Sequence, residues 1–160
     1  IIIGYTSIGA EAFENSTGLI SVTIPDSVTS ICAKAFYSTN LNTITIPISV
    51  TSIGQNAFRS TNLLTLTLDS NITTIGEYAF YDCDITNLNI YTNVNLTNVF
   101  NTTQNVFNTT QLTNVTFNYT GEITNICEDQ SNLINVTIGD QITSINTNAF
   151  KSYINTLTTI

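Results

Sequence analysis

The chain has 160 residues, of which 42% are hydrophobic and only 9% are charged, so material for a core is plentiful and charged surface is scarce. Three Lys and Arg against eleven Asp and Glu give a net charge of −8, which excludes the basic surface that nucleic acids and anionic membranes attract. The absence of His removes Ser/His and Cys/His nucleophile pairs and most zinc sites, and no apolar run is long enough to span a bilayer.

Two short patterns return along the chain at nearly constant spacing. The pattern Ser/Thr-Ile-x-x-x-Ala-Phe begins at Ser7, Ser30, Ser52, Thr74 and Ser144. The pattern apolar-x-x-apolar-x-apolar begins at Leu19, Leu41, Leu63, Ile85, Leu112 and Leu133, with a less regular copy near Ile154. The steps between the copies of this second pattern are 22, 22, 22, 27, 21 and 21 residues. This regularity predicts a solenoid in which each copy forms one coil.

Each coil is predicted to consist mostly of β-strand. Leu41–Ile46 ends in strict alternation of polar and apolar residues, with β-branched residues on both faces, which predicts a half-buried strand. Pro25 and Pro47 follow such strands and end them, because proline lacks a donor for the ladder. Val50–Ile53 is predicted to form a second, shorter strand. After this strand the backbone is predicted to turn through positive φ at one repeated position, occupied by Gly9, Gly54 and Gly76.

The predicted core combines strand residues with a column of aromatic rings. The strand residues are Leu19, Val22, Ile24, Leu41, Ile44, Ile46, Leu63, Leu66, Leu68, Leu133, Val136 and Ile138. The rings are Phe13, Phe36, Phe58, Phe80, Phe107 and Phe150, each following a small residue or, at Phe107, Val106. A single coil cannot bury its own apolar face, so stability is expected to come from stacking between neighbouring coils.

Two coils within residues 91–132 depart from the pattern. Five extra residues precede Val106-Phe107, which we align with the Ala-Phe of other coils, and Cys127–Asn132 is too short to hold an Ala-x-x-Phe turn. No linker rich in Gly, Ser or Pro divides the chain. We therefore predict one solenoid over residues 1–160, with irregular coils at about 91–132. Because neither end carries a charged cap, we expect a fragment of a longer repeat array, or weak end-to-end self-association.

The run from Leu41 to Phe58, Leu-x-x-Ile-x-Ile-Pro-x-x-Val-Thr-x-Ile-Gly-x-x-Ala-Phe, resembles the treponemal-type leucine-rich repeat of the BspA-like surface proteins. The resemblance covers nearly the whole chain and is most specific at residues 19–90 and 133–150. It implies a mainly β, leucine-rich-repeat solenoid of about seven coils of 21–27 residues, with a parallel sheet on the concave face and short strands or turns opposite. It also implies a non-enzymatic recognition or adhesion protein at the cell surface or secreted.

The residues that could support chemistry have simpler interpretations. Cys32, Cys83 and Cys127 lie at least two coils apart, so unpaired structural thiols are favoured over a disulfide or a metal site. The closest carboxylates form two sets, Asp82/Asp84 and Glu128/Asp129. We expect both sets at solvent-facing corners, with a loose calcium site at the irregular coil as the alternative. We predict no catalytic residue, no metal site, no cofactor and no enzymatic activity.

The outward residues of the main strands form the predicted ligand-binding surface. They pair coil by coil as Ser21/Thr23, Thr43/Thr45, Thr65/Thr67, Asn87/Asn89, Asn114/Thr116 and Asn135/Thr137. Stacked in register, they make two neutral rows, which are either a flat binding face or only solvated strand surface with asparagine ladders. We predict that this face binds a host or matrix protein, or a glycan, on the cell surface or matrix.

Two other functions remain as alternatives at this level. A solenoid with uncapped ends can stack, which would suit a self-associating surface-layer or coat protein. The Thr-x-Thr rows also suggest an ice- or crystal-binding face. We expect no nucleic-acid partner and no membrane insertion in this segment.

Overall fold

A computed structural model describes residues 4–69, 71–91, 106–107, 111–123, 132–147 and 149–150. The regular secondary structure of these residues is entirely β-strand, as the sequence predicts. The strands are β1 (Ser7–Ile8), β2 (Ser21–Thr23), β3 (Ser30–Ile31), β4 (Thr43–Thr45), β5 (Ser52–Ile53), β6 (Thr65–Leu68), β7 (Thr74–Ile75), β8 (Asn87–Ile90), β9 (Asn114–Phe117), β10 (Gly121–Ile123), β11 (Asn135–Ile138) and β12 (Ile142–Ile145). No helix in the described part of the chain is long and apolar enough to cross a membrane.

Strands of successive coils pair in parallel, so the chain winds as a solenoid. One side carries β2–β4 and the four-stranded sheet β6–β8–β9–β11, which together we call the main face. The other side carries the short strands β1–β3–β5–β7 and β10–β12. The strand predicted near Ile154 lies outside the described residues.

The longest repeat step does not interrupt the main face. Asn87 of β8 lies opposite Asn114 of β9, and Asn114 lies opposite Asn135 of β11. The 27-residue step therefore leaves the register of this sheet unchanged. The sheet is instead divided between β4 and β6, which are neighbours but do not share a regular hydrogen-bonded ladder.

The predicted strand core is largely confirmed. Leu41, Leu63, Leu66, Leu68 and Leu133 are buried, as are Ile24, Ile46 and Val136. Leu19, Val22, Ile44 and Ile138 are only half-buried, although they pack against the core. Phe117, the last apolar position of the copy that begins at Leu112, is buried too. Tyr119 is also buried, and the repeat pattern does not include it.

The phenylalanine column is confirmed from Phe13 to Phe107. Ring centroids are 5.2 Å apart from Phe13 to Phe36, from Phe36 to Phe58 and from Phe58 to Phe80, with nearly parallel planes. Phe107 continues the column at 5.3 Å, and the Phe80 amide donates to the Val106 carbonyl as the Phe58 amide does to Ala79. Val106-Phe107 therefore replaces Ala-Phe, as predicted. Phe150 instead contacts Phe117, at 6.4 Å.

The repeated glycines correct one prediction. Gly9, Gly54 and Gly76 do not have positive φ; among the described glycines only Gly4 and Gly121 do. Gly54 is required by close packing of coils, because a Cβ there would lie 2.5 Å from the Ala33 nitrogen and 2.7 Å from the Cys32 carbonyl carbon. Cys32 carries a side chain at the equivalent position one coil earlier, so this restriction applies to particular coils rather than to every one.

Positive φ falls instead on non-glycine residues two and six positions after the glycine position. These residues are Glu11, Lys34, Asn56 and Tyr78, and Asn15, Ser38, Ser60 and Asp82, with φ between 52° and 59°. The left-handed conformation is costly for a residue with a side chain. Here it directs the amides of Lys34 and Asn56 along the stack, where they bond to Gln55 and Glu77 of the next coil at 2.9 Å.

Threonine hydroxyls reinforce the stack on its edges. Thr29, Thr51 and Thr73 each donate to a carbonyl of the preceding coil, at 3.0–3.2 Å. Thr39 and Thr61 are buried and donate to the carbonyls of Phe36 and Phe58 within their own coils. Much of the threonine content is thus structural, because these hydroxyls satisfy backbone acceptors between and within coils.

Candidate binding surface

The twelve predicted surface residues form two rows in the register that the sequence predicts. In the first row Ser21 lies opposite Thr43. After the break, Thr65 lies opposite Asn87, Asn87 opposite Asn114, and Asn114 opposite Asn135. In the second row Thr23 lies opposite Thr45, and Thr67 leads to Asn89, Thr116 and Thr137. Each row has a break between β4 and β6. All twelve side chains are exposed or half-buried, and none is charged.

The rows divide into two halves that the sequence does not distinguish. We define the hydroxyl half as Ser21, Thr23, Thr43, Thr45, Thr65 and Thr67, on β2, β4 and β6, all of which are exposed. We define the amide half as Asn87, Asn89, Asn114, Thr116, Asn135 and Thr137, on β8, β9 and β11. Most of the amide half is half-buried; Thr137 is exposed.

The asparagines of the first row are hydrogen-bonded to one another. Asn114 Nδ2 donates to Asn87 Oδ1 at 2.7 Å, and Asn135 Nδ2 donates to Asn114 Oδ1 at 2.6 Å. Asn114 Nδ2 also donates to Thr113 Oγ1, and Asn87 Nδ2 to Thr86 Oγ1, both at 2.9 Å. This is the ladder arrangement that stabilises stacked strands. Both hydrogens and the oxygen of the Asn114 amide are therefore engaged within the protein.

Replacing Asn114 with Ala should lower the free energy of unfolding by about 1–2 kcal/mol, because the Asn135 donor and the Asn87 acceptor lose their partners in a half-buried row. Chemical denaturation of the variant against the unmodified protein measures this. Thr116→Ala is the matched control, since Thr116 lies on the same strand but in the second row. Equal losses for the two variants would show that the ladder adds no stability.

A third row, at the amino-terminal edge of the main face, contains exposed aliphatic side chains. It consists of Ile20, Asn42, Leu64, Thr86, Thr113 and Ile134, each directly before its strand. Ile20 is 57% exposed and Leu64 51%, and both precede strands of the hydroxyl half. Thr86 and Thr113 precede strands of the amide half, and their hydroxyls donate to carbonyls of the preceding coil at 3.2 Å.

Both positively charged side chains in the described part of the chain contact other groups of the protein. Lys34 forms ion pairs with Glu11 at 3.3 Å and Glu14 at 3.5 Å, and the hydrogen bond to Glu11 together with both negative charges raises the pKa of Lys34. The Arg59 guanidinium carbon lies 4.9, 5.6 and 5.9 Å from the rings of Tyr81, Tyr78 and Tyr37, as in cation–π contacts. Sequence reasoning missed this cluster, although Tyr37, Arg59 and Tyr81 each follow a column phenylalanine. Lys151 lies outside the described residues.

The thiols agree with a structural role where the structure describes them. Cys32 and Cys83 are unpaired, and Cys127 lies outside the described residues. Cys83 is buried, with its sulfur 3.1 Å from the Phe58 carbonyl and 3.2 Å from Thr61 Oγ1. Burial raises the pKa of the Cys83 thiol from its ordinary value near 9 to about 11.

Stability should fall as the pH rises from about 9 towards 11. The pKa of the Cys83 thiol is higher in the folded state than in the unfolded chain. Its contribution to the free energy of unfolding is therefore complete at pH values below the unfolded pKa, and it is lost as the pH rises through the folded pKa. At 1.36 kcal/mol per unit, the full loss is on the order of 3 kcal/mol. Burial and the Glu122 charge raise the pKa of Tyr119 to about 12, which extends the loss. Chemical denaturation at several pH values measures the slope; Cys83→Ala should flatten it between pH 9 and 11, and an unchanged slope would contradict the assignment.

No Asp or Glu lines the cavity that the structure describes. Asp82 and Asp84 are exposed, as predicted, and Asp82 accepts a hydrogen bond from Ser60 at 3.1 Å. Glu128 and Asp129 lie outside the described residues. No group of three potential metal ligands occurs in the part of the chain that the structure covers. One cavity, lined by Tyr5, Ile8, Phe13, Val22 and Val28 among others, lies at the first described coil and is mostly apolar.

Parallel strands at one-repeat register, a phenylalanine column and a flat outward face define a leucine-rich-repeat module, a class of scaffold that generally binds other molecules rather than catalysing reactions. The chain belongs to the family described as BspA type leucine rich repeat region. Six copies of the family model match residues 1–101 and 91–157. Both the predicted family and the predicted fold class are confirmed.

Two solved structures are similar to this chain. A leucine-rich repeat protein from Eubacterium ventriosum ATCC 27560 aligns with a TM-score of 0.60 and 23% identity over 84% of this chain and 43% of its own. One from Bacteroides ovatus ATCC 8483 aligns with a TM-score of 0.49 and 18% identity over 100% of this chain and 65% of its own. The chain thus spans less than two thirds of either relative. The comparison with curated proteins gave no significant match.

Proposed function

We propose that this chain is a non-enzymatic recognition module of a cell-surface or secreted protein, and that it adheres to a partner protein through its main face. The observation that carries the proposal is the hydroxyl half: six exposed Ser and Thr side chains without charge, bordered by exposed Ile20 and Leu64. We further propose that residues 1–160 fold as one solenoid, which the pairing from β6 to β11 across the longest repeat step supports.

The shape of the main face favours a protein over a small ligand or a glycan. Small-molecule sites are concave and enclose most of their ligand, whereas this face is an open sheet. Neither row contains an aromatic side chain. The centres of protein interfaces are depleted in charge, as this face is, and exposed aliphatic side chains next to hydrogen-bonding groups suit a folded protein surface.

The size of the main face indicates weak binding by a single copy. Six strands spaced about 4.8 Å apart span about 24 Å, and four residues at about 3.3 Å each span about 13 Å. The resulting area is about 300 Å², well below the roughly 800 Å² per partner of a standard stable interface. A module of this size gains useful strength when several copies act together, because linked copies raise overall affinity by 10²–10⁴. That behaviour is suited to adhesion.

The proposal is tested with an array of purified extracellular-matrix proteins and an array of glycans. We expect the single chain to bind one or more of the proteins with a dissociation constant in the micromolar range or weaker, and clustered copies on a surface to bind much more tightly. Thr45→Lys should reduce both signals, because it places a long charged side chain in the neutral face. Binding to glycans without any protein, or no binding at all, would reject the proposal.

The two alternatives have their own measurements. Three ranks of exposed hydroxyls, Ser21/Thr23, Thr43/Thr45 and Thr65/Thr67, are the observation that favours an ice-binding face. Thermal hysteresis of a cooled solution would reveal that activity. A self-associating coat protein would instead show an apparent molar mass, measured by light scattering, that rises with concentration. We expect no thermal hysteresis, since asparagine replaces at least one hydroxyl in three of the six ranks.

A further inference from the structure

We infer that the partner contacts only the hydroxyl half of the main face, that Ile20 and Leu64 anchor the contact, and that the first-row asparagines of the amide half form a structural ladder. This inference rests on the proposed function and narrows it. It assigns the partner as a neutral to basic protein that presents apolar side chains. The argument has three steps: the hydrogen bonds of the two halves, their aliphatic borders and the surrounding charge.

The hydroxyl half and the asparagine row of the amide half differ in the hydrogen bonds that remain available. Ser21, Thr23, Thr43, Thr45 and Thr65 make no side-chain hydrogen bond to any residue that the structure describes. Thr67 only accepts a long bond from Asn89, at 3.5 Å. In water these hydroxyls bond to solvent, so a partner exchanges one hydrogen bond for another at little net cost. A partner that bonded to the Asn114 amide would first have to break bonds of 2.7 and 2.9 Å.

The aliphatic border follows the same division. Ile20 and Leu64 flank the hydroxyl half in the first and third coils, with Asn42 between them. The equivalent residues beside β8 and β9 are Thr86 and Thr113, which are half-buried and engaged with backbone carbonyls. Binding energy concentrates in a few well-packed side chains surrounded by neutral contacts. The hydroxyl half offers two such side chains within a small area, whereas Ile134 stands beside the last strand of the amide half, at 41% exposure.

The charge around the hydroxyl half determines what kind of protein can approach. Lys34 is paired with Glu11 and Glu14, and Arg59 is held among three tyrosine rings. No other cation occurs in the described part of the chain to meet an acidic partner. Asp26 is exposed in the turn that follows β2, at the carboxyl-terminal edge of this half. Together with the net charge of −8, this arrangement repels acidic proteins and accommodates neutral or basic ones.

The test uses a panel of purified matrix proteins graded from acidic to basic isoelectric point, with the single chain and four variants. Thr45→Lys alters the hydroxyl half, and Thr137→Lys, exposed in the same row of β11, is its matched control in the amide half. Leu64→Ser and Ile134→Ser make the same comparison on the aliphatic row. Circular dichroism and thermal unfolding establish that each variant is folded. Thr23→Lys, on the edge strand β2, replaces Thr45→Lys if that variant does not fold.

We expect binding to neutral or basic members of the panel, a loss of affinity of at least tenfold for Thr45→Lys and about fivefold for Leu64→Ser, and changes within twofold for Thr137→Lys and Ile134→Ser. Equal losses in both halves, or preferred binding to acidic proteins, would overturn this inference while leaving the proposed function intact. If no panel member binds, or if all four variants bind like the unmodified chain, the proposed function fails and the inference fails with it.

Discussion

Replacing Phe58 with Ala should lower the free energy of unfolding by about 3–5 kcal/mol, the largest loss we expect from a single truncation. Phe58 is fully buried, and its ring stacks on Phe36 on one side and on Phe80 on the other, at 5.2 Å each. Because each coil is stabilised mainly by its neighbours, a cavity here weakens two interfaces at once. Chemical denaturation followed by circular dichroism measures the loss.

Phe13→Ala is the matched control for this prediction. Phe13 belongs to the same column but is half-buried and stacks on Phe36 alone among the described rings. Its truncation should cost roughly half as much, since it removes one ring contact and less buried area. If the two variants lost the same stability, the column would not act through neighbour stacking.

Replacing Gly54 with Ala should destabilise the protein by about 3 kcal/mol. Alanine normally stabilises a folded chain relative to glycine where the backbone conformation allows it. The added methyl group would lie 2.5 Å from the Ala33 nitrogen, which is backbone and cannot rotate away. The coil that contains Ala33 and the coil that contains Gly54 would have to separate, lengthening bonds such as that from the Gly54 amide to the Ile31 carbonyl, now 2.8 Å. Thermal unfolding of the variant tests this.

Gly9→Ala is the control, at the same repeat position in the first described coil. A Cβ at Gly9 meets no atom within 4 Å, so this change should be neutral or slightly stabilising, because alanine restricts the unfolded chain. A comparable loss at both positions would mean that glycine is needed for its backbone conformation after all.

The fold could be predicted from the sequence because strand alternation and coil stacking impose a regular spacing on the buried residues. A strand exposes alternate residues, a coil must stack on an identical coil, and so Leu41, Ile46 and Phe58 recur at fixed intervals and are buried. Phe107 could be placed across the insertion by its spacing to Leu112 alone. Tyr119 could not be assigned to the core, since it lies outside the apolar pattern that runs from Leu112 to Phe117.

The character of the main face was only partly accessible. Alternation correctly placed the rows in register, but whether a side chain is free or engaged depends on its neighbours in the stack, not on its own coil. Asn114 and Thr43 look equivalent along the chain; one is fixed by Asn87 and Asn135, and the other is exposed without such a bond. The Arg59 cluster could not be predicted for the same reason, because Tyr37 belongs to the preceding coil and Tyr78 and Tyr81 to the following one.

The equal spacing of the early coils has an evolutionary consequence. Leu41 and Leu63 occupy the same structural position 22 residues apart, and the intervening segment ends where the next coil begins. Unequal recombination between two segments of equal length would remove or add one whole coil while keeping the spacing of the phenylalanine column. Each event would shorten or lengthen the hydroxyl half by one rank. Selection could therefore adjust the size of the binding surface through the number of coils.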